Sequence, residues 1–257
     1  MRYALDVQYI GINYAGSQIQ FENGLMIETP TIQGEIEKAI STLIKNDSDI
    51  VDNSRPIKTI FSGRTDRGVN ALGQVLHFDY DKEIVASSFI YHINEILPKD
   101  ISVNNLRVVP NSFHAQKSAK ARYYRYELIN RKFKQAFDGD ILRVKFDLDI
   151  ERMQSALNFL LGEHDFSSFK SSGTLNPSKV CLITEANVEK QGDKIFINIK
   201  GNRFLYNMVR TIIGTLLEIE GHKLPVEHMK DVLEARDRRK AGQTVSPYGL
   251  TLVNVEY

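Results

Sequence analysis

Residues 57–78 read IKTIFSGRTDRGVNALGQVLHF and place a polar loop between two strand-like runs. Residues 57–61 alternate and predict a strand that enters the loop, and residues 73–78 predict the returning strand. Between two glycines the loop, residues 62–70, carries Arg64 and Asp66. Such charge density is found in solvated hairpin turns and in functional sites, so this stretch alone leaves both interpretations open.

The rest of the chain mixes helical and strand-like periods without the regular alternation of a doubly wound sheet. Alternation predicts strands over residues 3–10, 101–109, 121–129, 180–190, 194–200 and 250–256, and apolar spacing predicts helices over 31–43, 87–97, 150–161, 203–219 and 225–235. We therefore predict an α+β fold with a mostly antiparallel central sheet and helices packed on one face. Its two halves would be residues 1–105, with the Asp66 loop, and residues 106–257.

The composition is that of an ordinary globular protein of 257 residues, 42% hydrophobic and 25% charged. A single cysteine, Cys181, excludes a disulfide framework and a multi-cysteine zinc site, and the histidines show no metal-ligand spacing. We predict no membrane-spanning segment and no signal peptide, and therefore expect a cytoplasmic protein. Gly63 and Gly68 have the spacing of a phosphate-binding loop, but the Lys-Ser/Thr pair that must follow is missing.

Positive charge is concentrated in residues 113–134, which contain seven cations and one carboxylate, Glu127. Tyr123, Tyr124 and Tyr126 lie among these cations. A basic surface with aromatic side chains can hold RNA by its phosphates and offer a stacking face to an extruded base. A solvated strand face is the alternative interpretation of the same run.

Arg210 lies beside the apolar stripe of the helix predicted over residues 203–219. A cation in such a place needs a carboxylate, because an unpaired buried charge is strongly destabilising. Asp66 is one candidate partner, Asp6 and Asp165 are others, and extension of the arginine side chain to solvent is equally open. A carboxylate held ionised by an arginine could act on a ribose–base linkage.

Residues 63–71, followed by Gly-Gln-Val at 73–75 and His-Phe at 77–78, resemble the signature of the TruA-type tRNA pseudouridine synthases. The chain also resembles the other motifs of this family, in the family's order, at residues 9–20, 31–33, 113–115, 121–126, 162–169, 204–210 and 249–252. The resemblance therefore covers the whole chain. It implies an α+β fold of two related halves with a cleft between them, and a homodimer as the usual assembly.

The resemblance also implies isomerisation of uridine to pseudouridine at positions 38, 39 and 40 of the tRNA anticodon stem-loop, without metal or cofactor. It gives Asp66 the position of the catalytic aspartate, which would act as nucleophile or base. Tyr124 has the position of the tyrosine that stacks on the target base, and Arg210 that of the arginine paired with the aspartate. Arg64 matches an arginine linked to base flipping, and Leu252 an apolar residue that closes the pocket.

Contacts with tRNA are implied for two further segments of the chain. These are Phe113, His114, Ala115, Gln116 and Lys117 in the first segment and Gly173, Thr174, Leu175, Asn176 and Pro177 in the second. Arg122 and Arg125 of the basic run are predicted to join them. The predicted partner is thus the anticodon arm of tRNA.

Three residues depart from the usual bacterial pattern of the family: Ser17 replaces tryptophan, Arg67 replaces a small residue and Asn70 replaces histidine. None removes a catalytic group, although each bears on tRNA affinity and on the uridines accepted. Two other functions stay open at this point. One is a related RNA-binding or tRNA-folding protein with an altered or lost target range. The other is an enzyme for a different base–sugar bond, which usually needs a second carboxylate or a metal.

Overall fold

The computed structural model describes residues 1–22, 25–26, 29–46, 57–171 and 178–257. The chain forms two compact units, Met1–Lys120 with Leu252–Tyr257, and Ala121–Thr251. This division differs from the predicted boundary after residue 105. The segment that follows the last strand of the first half is tied back to the N-terminal strand, because the Arg2 guanidinium donates to the carbonyl oxygens of Asn111 and Phe113, each at 2.7 Å.

The first unit is organised around its N-terminal strand. Its elements in chain order are β1 (Arg2–Tyr9), β2 (Phe21–Glu22), β3 (Leu25–Met26), α1 (Ile32–Asn46), β4 (Ile60–Phe61), β5 (Asn70–Asp79), α2 (Ala86–Ile96) and β6 (Ile101–Val109). β1 pairs antiparallel with β5 and with β6, and β4 pairs antiparallel with β5. Thr31 caps α1 as predicted, since its Oγ1 accepts from the Gly34 N–H at 3.1 Å. α2 packs against β6 and α1.

The second unit repeats the order of strand, helix, strands and helix. Its elements are β7 (Ala121–Asn130), β8 (Leu142–Val144), α3 (Ile150–Asn158), β9 (Gly162–Asp165), β10 (Val180–Gln191), β11 (Lys194–Gly201), α4 (Met208–Gly221) and α5 (His228–Ala235), followed by β12 (Leu250–Glu256), most of which belongs to the first unit. β11 pairs antiparallel with β7 and β10, and β10 with β9, whereas β8 runs parallel to β7. The predicted α+β class with a mostly antiparallel sheet is confirmed.

The helix predicted over residues 203–219 begins only at Met208. Asn207 has φ 61°, and a left-handed residue cannot continue a right-handed helix. Arg210 therefore lies in the first turn of α4, and residues 203–207 form an irregular link outside it. Farther along α4, the fully buried Glu220 pairs with Arg152 of α3 at 3.0 Å, which joins the two helices.

Candidate active site

The Asp66 loop, residues 62–70, leaves β4 and leads into β5. The Val69 N–H donates to the Asp66 carbonyl oxygen at 3.1 Å and closes a tight turn. Gly68 has φ 80° in this turn, a region that favours glycine. The side chain of Asp66 is half-buried, and those of Arg64 and Arg67 are exposed. The loop is thus a turn that fixes a partly accessible carboxylate between two exposed cations.

A buried hydrogen-bond network that was not predicted from the sequence lies behind this loop. Ser17 is fully buried, and its Oγ accepts from the Thr65 N–H at 2.8 Å. The Ser17 N–H in turn donates to the Thr65 carbonyl oxygen at 3.0 Å. The Tyr9 hydroxyl lies 2.8 Å from Thr65 Oγ1, and burial raises the pKa of Tyr9 to about 12. These bonds fix the backbone immediately before Asp66.

Gln74 fixes the start of the same loop. The Ser62 hydroxyl donates to Gln74 Oε1 at 2.6 Å, and Gln74 Nε2 donates to the Gly63 carbonyl oxygen at 3.0 Å. Both Ser62 and Gln74 are fully buried. Gln74 belongs to the Gly-Gln-Val motif at residues 73–75, which marks the residue in the sequence but does not reveal its hydrogen-bond partners.

Two of the three residues that depart from the family pattern take part in holding the loop. Ser17 does so through Thr65, as described, and Asn70 Oδ1 accepts from the Gly11 N–H at 2.9 Å. A Cβ at Gly11 would lie 2.1 Å from the Val69 carbonyl oxygen, so this close approach requires glycine. The third, Arg67, is exposed.

Arg210 in the second unit is held by two acceptors close to the start of α4. Its Nε donates to the Val245 carbonyl oxygen and its Nη1 to Asn207 Oδ1, each at 2.8 Å. A cation in the first turn of a helix opposes the helix dipole, so an arginine there needs such acceptors. The geometry fixes the guanidinium, which is half-buried.

Two of the carboxylates predicted as partners of Arg210 have other partners. Asp6 pairs with Arg107 at 2.6 Å. Asp165 accepts from the N–H of Ser167 at 2.8 Å and from the hydroxyl of the same residue. Asp66 belongs to the first unit and Arg210 to the second, and their pairing stays a prediction.

Tyr124 lies on β7 and is 8% exposed. Its ring packs edge-to-face on Phe204, with the centroids 5.1 Å apart. Phe204 lies in the irregular link before α4, so this contact ties Tyr124 to the segment that leads to Arg210. Leu252, predicted to close the pocket, is fully buried in the first unit.

The basic residues of β7 are held by neighbouring strands. Arg125 Nε donates to Asn198 Oδ1 at 3.0 Å, and its guanidinium lies 5.5 Å from the centroid of the Phe196 ring. Arg122 Nη1 donates to the Asn202 carbonyl oxygen at 2.7 Å. Both side chains are half-buried, so their predicted RNA contacts would start from fixed positions.

The predicted RNA-contacting segment 113–117 is unevenly exposed. Gln116 and Lys117 are exposed, and Phe113 and His114 are half-buried. Ala115 is fully buried, and its N–H donates to His77 Nδ1 at 3.1 Å. We therefore correct its assignment from direct RNA contact to support of the segment. The other predicted segment, residues 173–177, lies outside the described residues.

In the described ranges, no group of three or more His, Cys, Asp or Glu side chains is arranged to hold a metal ion. Over the same ranges, no helix has the length and apolar character needed to cross a bilayer. Cys181 is buried, and burial raises the pKa of its thiol to about 11, so it stays protonated and unreactive at neutral pH.

Comparison with known proteins places the chain in a family. The sequence profile described as tRNA pseudouridine synthase matches residues 156–257. The tRNA pseudouridine synthase A of Pseudomonas aeruginosa is 40% identical over 257 residues, which cover 100% of this chain and 85% of the relative. Proteins of the same name from Colwellia psychrerythraea, 38% identical, and an Exiguobacterium species, 39% identical, are matched over 100% of this chain and over 94% and 98% of their own lengths. The chain therefore belongs to the tRNA pseudouridine synthase A family.

Proposed function

We propose that this protein is an isomerase that converts uridine to pseudouridine at positions 38, 39 and 40 of the tRNA anticodon stem-loop. The observation that carries the proposal is the similarity, over the whole chain, to relatives named tRNA pseudouridine synthase A. The reaction breaks the N1–C1′ bond, turns the base and joins C5 to C1′. It needs a positioned carboxylate, a surface that holds the detached base and a surface that holds RNA.

Asp66 is the proposed catalytic residue. Its carboxylate would attack C1′ as a nucleophile or remove the proton from C2′ as a base. The hydrogen bonds of Ser17 and Gln74 to the loop backbone support this role, because a carboxylate held in place needs little reorganisation to react. Arg210 is proposed as its partner, which would keep the carboxylate ionised.

Tyr124 is proposed to stack on the target base. Its edge-to-face contact with Phe204 supports this role, since it restrains the ring that would receive the base. Arg64, exposed two residues before Asp66, is proposed to assist base flipping, and Leu252 to close the pocket. Arg122, Arg125 and the segments 113–117 and 173–177 would supply the remaining RNA contacts, with Ala115 in a supporting role. We further propose a homodimer that acts in the cytoplasm.

Replacement of the Asp66 carboxylate by an isosteric amide tests the central assignment. Asp66→Asn should abolish pseudouridine formation in an unmodified tRNA transcript while the tRNA still binds. Asp81→Asn, which changes an exposed carboxylate beyond β5, is the matched control and should retain full activity. Pseudouridine mapped at single-nucleotide resolution reports both activity and target positions.

The possible outcomes separate the alternatives. An active Asp66→Asn or Asp66→Ala enzyme would remove Asp66 from the mechanism. A wild-type protein that binds tRNA and forms no pseudouridine would instead be the RNA-binding or tRNA-folding protein considered above. Product at positions other than 38, 39 and 40 would overturn the target range and leave the isomerase activity standing.

A further inference from the structure

Two phenylalanines of the second unit are exposed to an unusual degree. Phe133 is 82% exposed and Phe137 103% exposed, the largest values among the large apolar side chains of the described residues. Both lie in the 131–138 loop, which follows β7 and precedes β8. Two exposed aromatic rings within one short loop make that loop a candidate interaction surface. The proposed mechanism uses neither residue.

The 131–138 loop is held firmly by internal bonds. The Arg131 guanidinium pairs with Asp138, donates to the Phe133 carbonyl oxygen at 3.0 Å and reaches Asp193 at 3.1 Å. Asp138 also accepts from the Gln135 N–H at 2.9 Å. Apart from the half-buried Arg131 and the buried Asp138, every residue of the loop is exposed. These bonds fix the backbone of the loop, and the loop therefore holds the two phenylalanines at the surface in a defined arrangement.

The exposed charge of the loop beside Phe133 is positive. Lys132 and Lys134 flank Phe133, and both are exposed. The only carboxylate of the loop, Asp138, is engaged by Arg131. Two copies of this surface would bring like charges together across a dimer axis, which is unfavourable. A polyanion with flat, unpaired bases matches both the cations and the aromatic rings.

We propose that the 131–138 loop is an RNA-binding platform, on which Phe133 or Phe137 stacks against an unpaired base while Lys132 and Lys134 contact the neighbouring phosphates. Sequence-tolerant binding of single-stranded RNA commonly combines these two elements. That this RNA is tRNA rests on the proposed function. The platform would add an anchoring point on the substrate outside the Asp66 loop.

A tryptophan reporter tests stacking directly, because the wild-type chain contains no tryptophan. Phe133→Trp and Phe137→Trp, each in the full chain, place a single indole on the platform. Titration with an unmodified tRNA transcript should quench the fluorescence of at least one of them at the concentrations at which tRNA binds. The matched control is Tyr91→Trp, at a 66% exposed position on α2, which should not be quenched.

Affinity and assembly are measured on the same material. Phe133→Ala/Phe137→Ala should raise the dissociation constant for the transcript at least about fivefold, the loss of one stacked base. Lys132→Ala/Lys134→Ala should lower the slope of log K against log salt concentration by about 2. Unchanged affinity with both double variants, or absence of quenching in both reporters, overturns the platform. A change of oligomeric state in sedimentation of the phenylalanine double variant also overturns it and assigns the surface to a second copy of the chain.

These results are independent of the test of the proposed function. If the proposed RNA-binding platform is wrong, the wild-type enzyme is still active and its tRNA affinity does not depend on the 131–138 loop. If the proposed isomerase activity is wrong, the wild-type protein forms no pseudouridine, whether or not the loop binds RNA.

Discussion

The Asp66 loop of the first unit and the start of α4 in the second are held in place in different ways. Ser17 and Gln74 hold the loop through hydrogen bonds from buried polar side chains. Arg210 instead binds one side chain, that of Asn207, and one backbone carbonyl oxygen, that of Val245. The segment before Val245 lies so close to α4 that a Cβ at Gly214 would come within 1.7 Å of the Gln243 carbonyl oxygen. Buried polar side chains thus position the proposed catalytic residue, whereas one of the two acceptors of its proposed partner is positioned by a close backbone approach that glycine permits.

The largest effect is expected from a methyl group added at Gly214. Gly214→Ala would force the helix away from Gln243, and overpacking against backbone cannot be relieved by a rotamer change. We expect a loss of about 3 kcal/mol in the free energy of unfolding. Urea denaturation followed by circular dichroism measures this loss.

Gly63→Ala is the matched control for Gly214→Ala. No atom lies within 4 Å of a Cβ built at Gly63, and its φ is not positive. This variant should change the free energy of unfolding by less than about 0.5 kcal/mol. Equal stability of the two variants would show that the segment containing Gln243 can move, and the contrast between the two supports would then fail.

The second prediction concerns buried backbone N–H groups that depend on one hydroxyl. In Ser17→Ala the Thr65 N–H loses its acceptor, and in Thr215→Val the Gly242 N–H loses an acceptor now at 3.0 Å. Each variant should lose about 1–3 kcal/mol of stability, because a buried donor is left unsatisfied. Ser17→Ala should lower kcat for pseudouridine formation at unchanged KM, because the Ser17 hydroxyl holds the residue next to Asp66. Thr215→Val should lower kcat less, because Thr215 bonds Gly242, three residues before the carbonyl that accepts from Arg210.

Because both variants should lose similar stability, each serves as the control for the effect of the other on kcat. If kcat falls equally in both variants, the effect on activity follows from global stability and Ser17 has no positioning role. Wild-type kcat in Ser17→Ala would show that the loop keeps its geometry without the Ser17 hydroxyl.

The third prediction separates the side chain of Asn207 from its backbone conformation. Asn207→Gly keeps the left-handed φ of 61° at no steric cost but removes the oxygen that accepts from Arg210. We expect kcat to fall about tenfold, in line with the loss of one hydrogen bond to a charged group. Lys223→Gly, at another left-handed position with φ 52°, is the control and should keep wild-type kcat.

Comparison of these regions also shows which structural features could be predicted from the sequence. The strand over residues 101–109 and the helix cap at Thr31 were predicted correctly, because their patterns are local. The start of α4 was predicted five residues too early, at residue 203 rather than Met208, since an apolar period does not register the left-handed backbone of Asn207. Asp66, Arg210 and Tyr124 were predicted as site residues through motifs, and their roles stay predictions.

The network behind the Asp66 loop could not be predicted from the sequence. Ser17, Tyr9 and Gln74 lie in three separate segments, and only the tertiary fold brings their polar groups to the same loop. A serine in a long loop segment usually indicates solvent exposure, whereas Ser17 is fully buried. Burial of that kind depends on partners that no local pattern reveals.

The smallest effect is expected at high pH, where buried tyrosines lose stability. Burial raises the pKa of Tyr9 in the first unit and of Tyr126 in the second to about 12. A tyrosine in the unfolded chain ionises near pH 10. The stabilisation from keeping the proton is complete below about pH 10 and is lost as the pH rises towards 12, by roughly 1 kcal/mol per pH unit for each residue.

Tyr9→Phe and Tyr126→Phe distinguish the two units in this respect. The urea midpoint of each variant should fall less steeply between pH 9 and pH 11.5 than that of the wild type. At pH 8, Tyr9→Phe should also lower kcat, because the Tyr9 hydroxyl bonds Thr65, the residue next to Asp66. A wild-type pH slope in Tyr9→Phe would mean that its hydroxyl is not shielded from water, and the buried network could not then be what fixes the Asp66 loop.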